Sequence, residues 1–185
     1  LGPRSPLVTT MVTATDVLDA VRAIPDPEIP VITIEGLGIL RECTLDAAAG
    51  VVHVVITPTY SGCPAMRAIA DEIGRVCRAH GLRADVTTTL SPAWTTDWIT
   101  GEAREALRRF GIAPPGRVDE PADGPVPVTI GTRAGTTSEG GRHTVACPRC
   151  GSERTSVVSA FGSTACKALR RCDSCGDPFD EFKVL

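Results

Sequence analysis

Two pairs of cysteines near the end of the chain constrain its fold most strongly. They lie in the runs CPRCG and CDSCG, and 21 residues separate the two pairs. A C-x-x-C pair on a tight turn directs two thiolates at one point, and two such pairs complete a tetrahedral shell around a metal ion. The spacing therefore predicts a β zinc ribbon with one structural zinc ion and no open coordination position. The four predicted ligands are Cys147, Cys150, Cys172 and Cys175.

Two alternatives to zinc stay open at this stage, a rubredoxin-like iron site and a pair of disulfides. The chain has eight cysteines, and five of them lie between Cys147 and Cys175. Residues 1–10 lack an apolar core, so we expect no secretory signal there and a cytoplasmic protein. Met11 is a candidate start residue. In the cytoplasm metal ligation is favoured over disulfides. The fifth cysteine of the ribbon, Cys166, is either a buried thiol or an additional thiol that joins metal exchange.

The charge balance disfavours two classes of partner. The net charge is −3 and the pI about 5.6, which suits neither nucleic acid nor an anionic membrane surface. No apolar run approaches the roughly 20 residues that span a bilayer. Within the ribbon, five basic residues stand near five acidic ones and form no basic stripe. We therefore expect the ribbon to dock on a protein.

Composition divides the chain into three parts. Residues 12–113 are periodic and apolar, which predicts a folded domain. Residues 114–142 are rich in Gly, Pro, Ser, Thr and Asp, which predicts a flexible linker with one short strand at 126–130. Residues 143–185 form the predicted four-cysteine ribbon.

The first part predicts the element order α-β-β-α-β-α. This is a small α+β domain with helices on one face of a three-stranded sheet. A third helix over Gly101–Phe110 should carry Ile99, Ala103, Leu107 and Phe110 on one side and end at Gly111. The other predicted elements are a helix that begins near Thr15 and stops before Pro25, a hairpin of Gly38–Asp46 and Val51–Thr57, a helix from Pro64, and a strand at Leu82–Leu90.

Cys63 stands where the second strand has ended and the second helix begins. The helix dipole and the free backbone N–H groups at such a position favour a thiolate, which can act as a nucleophile or as a ligand to a soft metal. Hydroxyl groups in the preceding loop can donate hydrogen bonds to it, among them that of Thr57. The alternative is a small buried cap residue without chemistry.

Asp26 and Glu28 lie among three prolines after the first helix, in the run DPEIP. One interpretation is turn chemistry, in which a carboxylate caps backbone N–H groups. The other places Asp26 or Glu28 in the same pocket as Cys63. One thiol, two carboxylates and several hydroxyls would suit transient iron binding.

The sequence does not indicate a self-contained enzyme. It has no glycine-rich phosphate loop and no G-x-S-x-G, and the positions of His53, His80 and His143 disfavour a Cys–His nucleophile. Cys43 and Cys77 read as core thiols. Trp94 and Trp98 match no motif, and we expect them to pack over a pocket mouth or to present a docking surface.

Several of these runs resemble a known family. DPEIPVITIEGLGIL, TPTYSGCPA and SPAWTTDWI are similar to the metal–sulfur cluster assembly domain family. Together with CPRCGS, FGSTACKAL and RCDSCGDPFDEFK, they resemble its ribbon-bearing branch, the D subunits of bacterial phenylacetyl-CoA epoxidases. The resemblance covers nearly the whole chain except residues 1–10 and the linker.

The resemblance implies a role without a reaction of its own. Proteins of this branch serve aerobic phenylacetate degradation beside a di-iron oxygenase and a reductase that carries flavin and an iron–sulfur cluster. It implies an accessory factor that helps assemble or deliver iron or iron–sulfur centres to those subunits, with zinc as structural metal and iron or a cluster as transient cargo. The family's functional positions map onto Asp26, Glu28, Thr57 and Cys63. Two chains could share a cluster, which leaves a homodimer open, and a non-catalytic structural subunit is the alternative.

Overall fold

A computed structural model describes residues 14–115 and 144–184. The chain divides after Trp94 into two compact units, and both mix helices with a small sheet, so the predicted α+β class is confirmed. The predicted strand at 126–130, His143 and nearly all of the linker lie outside the described residues. Within the described ranges, no helix has the length and apolarity needed to cross a membrane.

The first unit contains the predicted hairpin and the crossover that follows it. The three strands lie in the order β1-β2-β3, with β1 antiparallel to β2 and β2 parallel to β3. Asp46 pairs with Val51 across the hairpin turn, where Gly50 takes a φ of +64° that favours glycine. The elements are α1 (Ala14–Arg22), β1 (Leu40–Asp46), β2 (Val51–Ile56), α2 (Ala65–Ala79) and β3 (Arg83–Thr88).

Helices cover one face of this sheet. Val52, Val54 and Ile56 alternate along β2 and are buried, whereas His53 between them is exposed. The helix α1 packs on β1 and α2, and α2 packs on β3. The covering residues of the helices are apolar at helical spacing and buried: Val17, Val21, Ile69, Ile73 and Val76.

The second unit joins a helix to a four-stranded sheet. Its strands lie in the order β4-β7-β6-β5, with β4 parallel to β7 and the other pairs antiparallel. A short 3₁₀ turn at Thr96–Trp98 precedes the helix. The elements are α3 (Gly101–Phe110), β4 (Ile112–Ala113), β5 (Thr155–Ser159), β6 (Lys167–Cys172) and β7 (Pro178–Phe182).

The bounds of α3 agree with the prediction, and its apolar side is buried only in part. The Thr100 hydroxyl accepts a hydrogen bond from the Ala103 N–H (3.2 Å), and Gly111 ends the helix with a φ of +94°. Leu107 is buried, whereas Phe110 is 56% exposed, so the apolar side of the helix leaves the core at its last residue. The spacing of apolar residues in the sequence extends the apolar side of α3 to its last residue. It does not show where the part of the protein that packs against the helix ends.

The strand β4 was not predicted. Ile112 and Ala113 pair with Asp180 and Glu181 of β7, so β4 belongs to the sheet that carries the ribbon strands. A two-residue strand has too few positions for a period-2 pattern, and its pairing with a distant strand leaves no local signal. The domain limits at 12–113, 114–142 and 143–185 stay a prediction.

Candidate functional site

The two cysteine pairs form turns of the same construction. In the first turn the Gly151 N–H donates to the Cys147 carbonyl, and in the second the Gly176 N–H donates to the Cys172 carbonyl, each at 2.9 Å. Both glycines have positive φ, +74° and +79°, which a side chain would oppose. The glycine after each pair therefore allows the turn that directs two sulfurs to one side.

The four sulfurs meet at one point. The Sγ atoms of Cys147 and Cys175 are 3.9 Å apart, those of Cys150 and Cys172 are 3.6 Å apart, and all four lie within 4.8 Å of one another. A tetrahedral ion with sulfurs at about 2.3 Å would space them by about 3.8 Å, whereas a disulfide needs about 2.05 Å. The sulfur distances fit a single metal ion, and they are too long for disulfide bonds between Cys147 and Cys175 or between Cys150 and Cys172.

The electrostatics of the group also call for a cation. The backbone N–H of Cys175 points at the Cys172 sulfur (3.5 Å) and lowers the pKa of that thiol to about 6. The N–H of Asp177 acts in the same direction on Cys175, but burial and the neighbouring sulfurs outweigh it and raise the pKa of Cys175 to about 12. Sulfurs this close cannot all become thiolates unless a positive ion compensates their charge.

A small apolar cluster and polar links between the turns hold the centre. Arg149 of the first turn pairs with Asp177 after the second (2.7 Å), and the hydroxyls of Ser152 and Ser174 are 2.7 Å apart. The residues buried around the sulfurs are Ala113, Val145 and Phe179. A segment this small depends on such links and on the metal for its stability.

Cys166 lies outside the four-sulfur group. It is 5% exposed, and its sulfur is 3.0 Å from the Thr164 hydroxyl. This placement favours a buried thiol, and a role in metal exchange stays a prediction.

Two buried charged residues in the ribbon sheet were missed by the sequence interpretation. Glu181 (3% exposed) forms an ion pair with Arg170, and Lys167 (4% exposed) lies 3.7 Å from Asp180. Charged residue types predict exposure, and only the register of β6 against β7 brings these partners together. Much of the ribbon's charge is thus engaged internally.

The Cys63 loop connects β2 to α2. The Thr57 N–H donates to the Ile39 carbonyl (2.9 Å) at the end of the sheet, and the Cys63 N–H donates to the Tyr60 carbonyl (3.1 Å) in a turn. Cys63 is half-buried and directly precedes the N-cap residue Pro64, and no side chain caps the helix. The loop therefore places a partly accessible thiol at the entrance of a 15-residue helix.

The Asp26 turn is closed by its own carboxylate. One carboxylate oxygen accepts hydrogen bonds from the N–H groups of Glu28 (2.9 Å) and Ile29 (2.8 Å), and the Asp26 N–H donates to the Ile32 carbonyl (2.9 Å). Asp26 is 4% exposed, whereas Glu28 is half-buried. This geometry favours turn chemistry for Asp26, and Glu28 is the more accessible of the two acids.

A cleft of about 160 Å³ lies beside the Cys63 loop. The Trp94 ring is buried in its wall, and the indole N–H donates to the Leu37 carbonyl (3.0 Å). The lining residues are Thr57, Pro58, Thr59, Tyr60, Ser61, Leu90, Ala93 and Trp94. This set includes Thr57 but neither Cys63 nor the two acids, so a pocket shared by the thiol and the carboxylates stays a prediction.

Two families match this chain. Residues 14–88 match the family described as "Iron-sulfur cluster assembly protein", and residues 131–183 match the "PaaD zinc beta ribbon domain". The fold and the four-cysteine centre thus define a class in which a cluster-assembly domain precedes a ribbon. An Escherichia coli (strain K12) protein, named as the D subunit of a "Putative 1,2-phenylacetyl-CoA epoxidase", is 45% identical over 163 residues, 88% of this chain and 87% of that protein. The chain belongs to the family of these epoxidase D subunits.

Two solved structures are similar to parts of the chain. A domain of unknown function DUF59 from Bacillus anthracis shares 23% identity, with a TM-score of 0.46 over 51% of this chain and 90% of its own. Rv1466 from Mycobacterium tuberculosis, titled as associated with [Fe-S] complex assembly and repair, shares 29% identity, with a TM-score of 0.29 over 60% and 98%.

Proposed function

We propose that this chain is an accessory protein of a phenylacetyl-CoA epoxidase system in aerobic phenylacetate degradation. It helps assemble or deliver iron or iron–sulfur centres to the oxygenase or reductase subunits and catalyses no reaction itself. The observation that carries the proposal is the half-buried Cys63 at the entrance of α2, in a domain that matches the cluster-assembly family. The name of the 45% identical relative supplies the system.

Cys63 is the iron ligand or transfer point in this proposal. The first turn of α2 carries no acidic residue and no side-chain cap, so the positive end of the helix dipole is left to favour a thiolate. Glu28 is the carboxylate that would join Cys63 on the metal. Asp26 positions Glu28 by holding its backbone N–H, and Thr57 belongs to the same loop as Cys63.

The four-cysteine centre would hold zinc in a structural role. Four thiolates complete the tetrahedral shell and leave no position for substrate. The sulfur spacings of 3.6 and 3.9 Å support a mononuclear ion. When bound there, zinc would link the two cysteine turns to each other.

The ribbon would address the protein to its oxygenase partner. Val157 and Val158 on β5 and Phe161 in the turn after it are 56–69% exposed, so this segment offers apolar side chains for contact with a protein partner. The internal ion pairs of Arg149 and Arg170 support a protein partner over nucleic acid, because they leave fewer bases for phosphates.

The experiment compares Cys63→Ser with Cys43→Ser in cells that express the epoxidase subunits. Cys43 is the matched control, since it is a partly exposed thiol of the same unit that lies in β1. We expect subunits purified from the Cys63→Ser strain to carry less iron and to show lower epoxidase activity, with wild-type values in the control strain. Full iron loading with Cys63→Ser would contradict the proposal.

The second candidate is a structural subunit of the epoxidase complex that handles no metal. The exposed apolar group of Val157, Val158 and Phe161 suits stable docking as well as transient docking. Co-purification of the Cys63→Ser protein at fixed stoichiometry with fully iron-loaded, active subunits would favour this candidate.

A further inference from the structure

The cleft beside the Cys63 loop is lined by a residue whose hydroxyl the fold leaves unsatisfied. The Thr57 hydroxyl has no hydrogen-bond partner within the described part of the chain, and Thr57 is 1% exposed. Burial of an unpaired hydroxyl costs about 1–3 kcal/mol. Thr57 lines the cleft, so a ligand in the cleft lies next to the residue that carries the unpaired hydroxyl, and a small rotation of that side chain would bring the two together.

The size of the cleft suits one aromatic ring. Its volume of about 160 Å³ is close to the roughly 150 Å³ of an engineered protein cavity that binds benzene. Small-molecule sites are usually larger, about 300–1,000 Å³. A cleft of this volume instead resembles the pockets that receive a single anchor side chain of a protein partner.

The walls select a flat ring with a polar tip. The Trp94 indole is fixed by its hydrogen bond to the Leu37 carbonyl and gives a rigid aromatic surface. Leu90 lines the same cleft and is 61% exposed, so a bound ring would cover apolar surface there. A phenylalanine side chain would leave the Thr57 hydroxyl unpaired, and the tryptophan ring system is larger than the single ring that the cleft volume suits. A tyrosine side chain has one ring of the right size, and its O–H can pair with the Thr57 hydroxyl.

We propose that this cleft binds a tyrosine side chain of the epoxidase component that receives the metal. Ser61 of the cleft wall lies two residues before Cys63, so an anchored tyrosine holds the partner's chain beside the thiol. The partner assignment rests on the proposed function, whereas ring binding is a property of this chain alone.

The first experiment titrates the isolated, isotopically labelled protein with p-cresol, the tyrosine side-chain analogue, and with toluene, which lacks the hydroxyl. The indole N–H signal of Trp94 in an NMR correlation spectrum reports binding, and that of Trp98 is the internal control. We expect p-cresol to shift the Trp94 signal and to bind about threefold to tenfold more tightly than toluene, the ratio that one hydrogen bond supplies. Absence of a shift with p-cresol, or equal affinity for both compounds, would overturn the proposal.

Two variants and a control distinguish the contribution of the Thr57 hydroxyl to binding from that of the cleft volume. Thr57→Val should remove the preference for p-cresol and leave toluene binding unchanged. Ala93→Leu fills the cleft and should abolish binding of both compounds, whereas Ala48→Leu, at an exposed position in the β1–β2 turn, should bind both like the wild type. Unchanged p-cresol binding by Ala93→Leu would place the ring elsewhere and overturn the proposal.

The partner is tested by co-purification with the oxygenase and reductase subunits. Ala93→Leu should reduce the amount recovered, and Ala48→Leu should not. An unchanged yield with Ala93→Leu would overturn the assignment of the ring to an epoxidase component. Neither readout depends on iron, so a failure here is distinguishable from a failure of Cys63→Ser to change iron loading.

Discussion

At Gly162 the ribbon has no room for a side chain. A Cβ atom built there would lie 2.6 Å from a carboxylate oxygen of Asp180 and 3.2 Å from the Cβ of Lys167. The same carboxylate accepts a hydrogen bond from Ser163 (2.8 Å) and lies 3.7 Å from the Lys167 ammonium. Any added atom must therefore displace a group that holds a buried lysine.

We predict that Gly162→Ala lowers the free energy of unfolding by about 1–3 kcal/mol, the usual cost of overpacking. Gly101→Ala is the matched control, because a Cβ at Gly101 meets nothing within 4 Å, and it should change stability by less than about 0.5 kcal/mol. Chemical denaturation followed by circular dichroism measures both. An equal effect of the two substitutions would show that the Asp180 contact is not tight.

Cys43 offers a second test at the scale of one residue. Burial, partly offset by Arg22, raises the pKa of the Cys43 thiol from 9.0 to about 11. A thiol pKa that is higher in the folded state contributes stability that is present below pH 9 and lost as the pH rises through about 11. We therefore predict that alkylation of Cys43 by iodoacetamide accelerates between pH 9 and about 11 in the folded protein, and at lower pH in the urea-unfolded protein. Mass spectrometry of the digested protein measures both rates, and identical pH profiles would contradict the burial argument.

At the scale of elements, the turn after α1 depends on one carboxylate. The Asp26 carboxylate accepts hydrogen bonds from the N–H groups of Glu28 and Ile29. Two backbone hydrogen bonds close the turn around it, from the Asp26 N–H to the Ile32 carbonyl and from the Ile34 N–H to the Ile24 carbonyl. We predict that Asp26→Ala costs about 1–3 kcal/mol of stability, because buried donors lose their acceptor, and that Asp26→Asn costs less, because its amide oxygen still accepts. Thermal unfolding measures the difference. Unchanged stability of Asp26→Ala with a loss of bound iron would instead identify Asp26 as a metal ligand.

Many elements of both units could be predicted because their signals are local. Pro64 marked the start of α2, Gly111 marked the end of α3, and two runs with apolar and β-branched residues joined by a short alanine–glycine turn marked the hairpin. The cysteine spacing predicted the four-sulfur centre, since the turn that carries each pair is also local.

The remaining features depend on contacts between distant residues. The burial of Lys167 and Glu181 follows from strand register, and the exposure of Phe110 follows from where the covering surface ends. The cleft joins Thr57 to Trp94, which are 37 positions apart in the sequence. No local pattern carries this information, so the tryptophans could be assigned only to a pocket mouth or a docking surface in general.

At the scale of the whole molecule, we predict two metal sites with different roles: the four-cysteine centre holds a structural zinc ion, and the Cys63 site binds iron only transiently. The protein should contain one zinc ion per chain, and Cys150→Ser should lower that content, because a tetrahedral structural site needs all four sulfurs. Removal of the metal by a chelator should unfold β5–β7, because the ribbon depends on the ion for its stability. Elemental analysis and circular dichroism measure these effects. One iron ion per chain and no zinc would point instead to a rubredoxin-like centre.

The central claim is that Cys63 passes iron to a component of the epoxidase. Its most direct test is transfer between purified proteins without oxygen, in which the chain is preloaded with isotopically labelled Fe(II) and mixed with an iron-free oxygenase or reductase component. We predict that the wild type and Cys43→Ser load that component faster than free Fe(II) does, and that Cys63→Ser gives no acceleration. Transfer by Cys63→Ser at the wild-type rate would contradict the account.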